Sequence, residues 1–104
     1  MNDRELLELA AKAAGVDFYT PEGGDTPWCG RGFYLRGGAV WNPLEDDGDA
    51  LRLAVQLFRD IHFWYFENSV SVGNELRVAC GDDPCAATRR AIVRTAAEIG
   101  RNMK

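Results

Sequence analysis

Three stretches of the chain repeat apolar residues at helical spacing. In the first, Leu6, Leu9, Ala10 and Ala13 form a stripe, Asn2 or Asp3 can cap its start, and Gly15 can close it in the left-handed conformation. The second follows Asp47 or Asp49 as cap. Its Leu51, Ala54, Val55 and Phe58 predict a core stripe widened by Leu53 and Leu57, with Arg52, Gln56 and Arg59 toward water. The third opens with Asp83 as cap and Pro84 at the first helical position, where the missing N–H costs nothing. Thr88, Ile92, Ala96, Ile99 and Met103 make its apolar stripe, and Arg89, Arg90, Arg94, Arg101 and Lys104 its polar surface.

Between the helices the period changes to two. Val16, Phe18 and Tyr19 suggest a short strand, and the turn formers of residues 20–27 a loop. In residues 28–36, Phe33 and Leu35 share one face and Tyr34 and Arg36 the other; Gly37 and Gly38 can make a hairpin turn to a return strand at 39–41. That hairpin is expected to present Tyr34 and Trp41 as amphipathic rings. Asn42 and Pro43 break the strand, and the acidic residues 45–49 lead into the second helix, so this corner reads as a structural joint. Residues 60–67 form the most strand-like run, with Ile61, Phe63 and Tyr65 on one face and His62, Trp64 and Phe66 on the other. Two further strands follow, over 70–72 and 75–80, the second with Leu76, Val78 and Cys80 inward. The pattern predicts an α+β fold with three helices and a mainly antiparallel sheet of 4–5 strands, helices covering the sheet on both sides.

Composition adds bounds. A chain of 104 residues, 46% hydrophobic and with net charge -4, suits one globular domain, residues 1–104. The charge is uneven: residues 84–104 carry five basic groups against one acidic, so the last helix is a basic element on an acidic remainder. The longest apolar run, residues 63–66, is too short for a membrane span, and the start lacks a leader's basic and apolar segments. A reducing cytoplasm is the expected setting for the three cysteines.

Candidate chemistry is sparse. Cys29, Cys80, Cys85 and His62 could in principle bind zinc, and Cys80 with Cys85 could form a redox pair, but the spacing is loose and packing roles are preferred. His62 lacks a recognisable acid or nucleophile partner. Counting twelve from Asp46 reaches Leu57, which cannot supply a calcium loop's terminal ligand. Gly30 and Gly32 do not open a phosphate-binding helix. No catalytic residue, metal ligand or cofactor is therefore assigned. Arg89, Arg90 and Arg94 could touch phosphates, although the net negative charge works against nonspecific nucleic-acid binding.

Three blocks carry a resemblance: residues 6–15 (LLELAAKAAG), 41–55 (WNPLEDDGDALRLAV) and 87–94 (ATRRAIVR). They resemble the phage ABA sandwich family of small bacteriophage and prophage proteins, the Trp-Asn-Pro-Leu stretch most specifically. The resemblance implies an α/β/α sandwich and a phage origin, and transfers no catalytic residues. The chain departs from the family at residues 23–29 and at Phe63, Trp64, Tyr65 and Phe66, whose extra aromatics would mark an interface. The resulting expectation is a noncatalytic phage or prophage accessory protein in the bacterial host cytoplasm. It would act through a protein partner, a second copy included, on a host defence or regulatory protein, with Trp28, Tyr34, Trp41 and Trp64 as anchors. The alternative is a small nucleic-acid-associated protein using Arg89, Arg90 and Arg94.

Overall fold

The computed structural model describes residues 2–16, 28, 30–35, 39–73 and 77–103. The expected strand at Phe18 and Tyr19, the loop at 20–27, Cys29, the Gly37-Gly38 turn and Leu76 lie outside the described residues.

The fold is α+β: the described residues form three helices and two antiparallel sheets packed in a sandwich-like arrangement. In chain order the elements are α1 (Asp3–Ala14), β1 (Phe33–Tyr34), β2 (Val40–Trp41), α2 (Asp47–Gln56), β3 (Ile61–Trp64), β4 (Ser69–Val72), β5 (Val78–Ala79) and α3 (Pro84–Arg101). One sheet is the β1–β2 hairpin; the other has the order β3-β4-β5.

Helix α3 is the hub. It packs against α1, α2, β4 and β5, so it is buried around most of its girth, from Ala87 through Ala91, Ile92, Val93, Thr95, Ala96 and Ala97 to Gly100. This is wider than the single predicted stripe, and Met103 at its end is exposed. Thr95, buried among these, donates its hydroxyl to the Val72 carbonyl at 3.2 Å, which ties α3 to β4. Asp83 caps α3 by accepting from the Ala86 N–H, as the sequence predicts.

Helix α1 buries Leu7, Ala10, Ala11 and Ala14, a face one residue round from the predicted Leu6, Leu9, Ala10 and Ala13. The alanines face α3 and allow the two helices to approach closely, while the leucines at 6 and 9 flank the contact. Its cap is Asn2, and Gly15 ends it at φ 68°.

In the hairpin, Phe33 lies opposite Trp41 and Tyr34 opposite Val40. Directly opposed residues share a sheet face, so Trp41 goes into the core with Phe33, whereas the sequence pairs it with exposed Tyr34. The following corner is held by Asn42. Its side-chain amide donates to the Arg31 carbonyl and its side-chain oxygen accepts from the Leu44 N–H, while its own N–H donates to Asp49 Oδ2 at 3.0 Å. The α2 cap is consequently Asp46, accepting from the Asp49 N–H at 2.7 Å, ahead of both candidates, Asp47 and Asp49.

Candidate functional site

The second helix departs most from the predicted pattern. Ala50, Leu53 and Ala54 are buried, but Leu51, Val55 and Phe58, expected to close the core, are 58%, 63% and 91% exposed. The cause is the position of α3. It receives the face of α2 centred on the small residues Ala50 and Ala54, and the bulkier Leu51 and Val55 are turned away. Only Arg52 and Gln56 interrupt the apolar run from Ala50 to Phe58. A helix apolar on nearly all sides exceeds what one core contact can cover, and this excess is the signal in the sequence that its outer side is a surface of interest.

Of these exposed residues, Leu51 lines a groove of about 280 Å³ between α2, β3 and α3. Leu51, Ile61, Phe63, Cys85 and Ile92 line it, and Arg89 and Asp47 stand at one side. A second, shallower depression shares Leu51 and Ile61 and continues along Val55 to Phe58. The two make one apolar surface running from the end of α2 across β3 to the start of α3.

Phe58 is held at this surface against its backbone preference. Helix α2 ends with Phe58 N–H donating to Val55 O at 3.1 Å and Arg59 N–H to Ala54 O at 3.2 Å. The end of α1 has the same paired pattern, with Gly15 donating to Lys12 O and Val16 to Ala11 O. The position that is glycine in α1 is phenylalanine in α2, at φ 52°. A left-handed conformation costs a residue with a Cβ about 1–2 kcal/mol.

Strand β3 ends at Trp64, and Tyr65–Glu67 form a 3₁₀ turn, so Tyr65 and Phe66 do not continue the predicted alternation. Both are exposed, with rings edge to face. Phe63 is 61% exposed. The aromatic cluster singled out in the sequence therefore lies at the surface, at the far end of the strand that borders the groove.

The other sheet face is polar and self-contained. His62 lies across from Ser71 and Trp64 from Ser69. The Trp64 indole N–H donates to Ser71 Oγ at 3.1 Å, the His62 ring lies 4.2 Å from the Trp64 ring, and the Arg77 guanidinium sits 3.5 Å over it. Glu67 pairs with Arg77 in turn. Trp64 is thus half-buried with a ring face occupied.

The remaining predicted residues are dispersed. Trp28 is half-buried, its ring 5.0 Å from that of Phe33; Tyr34 is exposed; Trp41 is a core side chain. Arg89 turns inward, donating from Nε to the Leu44 carbonyl at 2.8 Å and pairing with Asp47 at 2.6 Å. Arg90 pairs with Asp3 at 3.3 Å across to α1, and Arg94 is exposed. Cys80 is buried and Cys85 exposed, both free thiols. Among the described residues no three His, Cys, Asp or Glu side chains are grouped to hold a metal ion, and no helix is long and apolar enough to cross a membrane.

The fold and this surface define the class: a small α+β protein with an exposed apolar groove at the edge of its larger sheet. Scans of protein-family models, curated proteins and solved structures each find no match to the chain.

Proposed function

We propose that the protein is a noncatalytic accessory protein that binds another protein through the groove between α2, β3 and α3. The observation that carries this reading is Phe58, almost wholly exposed and held in a left-handed conformation at the rim of an apolar surface. Exposing Phe58 forgoes about 1.5–3 kcal/mol of burial, and its backbone adds strain that glycine would relieve. A docking partner supplies the missing burial. Leu51, Val55 and Phe63 extend the contact, and aromatic anchors beside aliphatic ones suit a protein ligand.

The phage or prophage setting, and with it the bacterial cytoplasm and a host defence or regulatory protein as target, rests on the sequence blocks that resemble the phage ABA sandwich family. The nucleic-acid reading has less support, because Arg89 and Arg90 are already engaged by Leu44, Asp47 and Asp3.

Affinity capture from bacterial lysate, with the wild-type chain beside Phe58→Gly and Leu51→Lys, tests the proposal. A partner retained by the wild type and lost from both variants is the expected result. Equal capture by all three would remove the groove from consideration.

A further inference from the structure

We infer that β3 is the self-association strand of this protein and that its partner there is a second copy of the same chain, an inference that rests on the groove being a protein-binding surface. Strand β3 is an edge of the sheet. The Gly73 N–H donates to the Asp60 carbonyl at 2.9 Å. Alternation along an antiparallel ladder then makes His62 with Ser71, and Trp64 with Ser69, the hydrogen-bonded pairs. On the next ladder the Cys80 N–H donates to Asn68 O, which gives β4 the same phase. The N–H and C=O groups of Ile61 and Phe63 consequently point away from β4, out of the sheet edge.

Two such edges fit each other in one register. A two-fold axis normal to the sheet through His62 sets Ile61 opposite the second copy's Phe63, and Phe63 opposite its Ile61. All the outward groups of both residues are then paired, in two hydrogen-bonded pairs. Centring the axis on Phe63 instead would need Tyr65 in extended conformation, and Tyr65 begins the 3₁₀ turn. The His62-centred arrangement joins two three-stranded sheets and keeps both grooves on one face. The apolar area on offer is of interface size: the exposed rings of Phe58, Phe63, Tyr65 and Phe66, at up to about 150–250 Å² each, offer at most roughly 600–1,000 Å², on the order of the ~800 Å² per partner of a standard interface.

Sedimentation velocity from about 1 to about 100 µM, where a micromolar association declares itself, tests this on the full chain. The wild type should form dimers and melt higher as concentration rises, and Phe63→Lys should stay monomeric and melt like the dilute wild type at every concentration, since a lysine on an edge strand opposes pairing. The register has its own signature. Opposed non-hydrogen-bonded residues have Cα atoms ~4.5 Å apart, within the roughly 4.4–6.8 Å that a disulfide spans. In a chain with Cys29 and Cys85 replaced by serine, His62→Cys should therefore crosslink to dimer under glutathione disulfide, and Phe63→Cys far less. A wild type monomeric throughout, or dimers that survive Phe63→Lys, would overturn the inference. If the chain is monomeric yet captures a host polypeptide in a Phe58-dependent way, the second copy is excluded while the groove remains a binding surface. If neither dimer nor Phe58-dependent capture is seen, both fail.

Discussion

Gly100 of α3 lies directly against the backbone carbonyl of Leu9 in α1: a Cβ at position 100 would overlap the Leu9 oxygen and carbonyl carbon. Backbone meets backbone here, with no side chain to move aside. Gly100→Ala gains about 1 kcal/mol of helix propensity but forces the helices apart, at about 1–3 kcal/mol for overpacking and more where backbone must shift. Urea unfolding should show a net loss of stability. A midpoint equal to or above the wild type would mean that α1 and α3 do not approach as described.

Trp41 and Tyr34 sit on opposite faces of the same hairpin, and their truncation should separate cleanly. Trp41→Ala empties a core position and is expected to cost about 3–5 kcal/mol. Tyr34→Ala, at an exposed position, should stay within about 0.5 kcal/mol. Thermal melts of the two variants check this directly; similar losses would contradict the pairing of Trp41 with Phe33.

Arg89 joins α3 to the turn before α2 by two contacts of unequal weight. Its bond to the Leu44 carbonyl is partly buried and made by a charged donor, worth about 1.5–3 kcal/mol. Its ion pair engages an Asp47 carboxylate that is largely in water, worth about 0–1 kcal/mol. Arg89→Ala should therefore destabilise distinctly more than Asp47→Asn in chemical denaturation. Equal losses would show that the ion pair, and not the carbonyl bond, carries the contribution of Arg89.

Local rules made much of the fold legible. The Asp83-Pro84 start of α3, the glycine that ends α1, the structural joint at Asn42 and Pro43, and the inward Val78 and Cys80 each follow from chemistry within a few residues. What stayed hidden depends on which element each face meets. Leu51 and Val55 have the spacing of core residues, and only the placement of α3 over Ala50 and Ala54 turns them outward. Trp41 is amphipathic in isolation, and only the register with Phe33 buries it. Arg89 and Arg90 look alike as surface cations until α2 and α1 are set beside them. The exposed rings of Phe63, Tyr65 and Phe66 are legible as an excess of aromatic residues, whereas the exposure of Phe58 follows only from where α2 ends.

Phe58 allows stability and binding to be separated by one substitution. Replacing it with glycine relieves the left-handed strain of about 1–2 kcal/mol and incurs about 0.5–1 kcal/mol from glycine's greater freedom in the unfolded chain. Because the ring is 91% exposed, little packing is lost with it. Phe58→Gly should consequently raise the stability of the isolated chain by roughly 0.5–1 kcal/mol. The same substitution removes the exposed ring from the depression that adjoins the groove and should weaken partner capture at least tenfold, the ~1.4 kcal/mol that such a ratio represents. A residue that lowers the stability of the free protein while raising the affinity of the complex is explained by binding. Denaturation and capture measured on this one variant check both halves. A less stable Phe58→Gly chain would mean that the ring packs within its own fold, and a more stable chain with undiminished capture would leave the strain at position 58 without a role in docking.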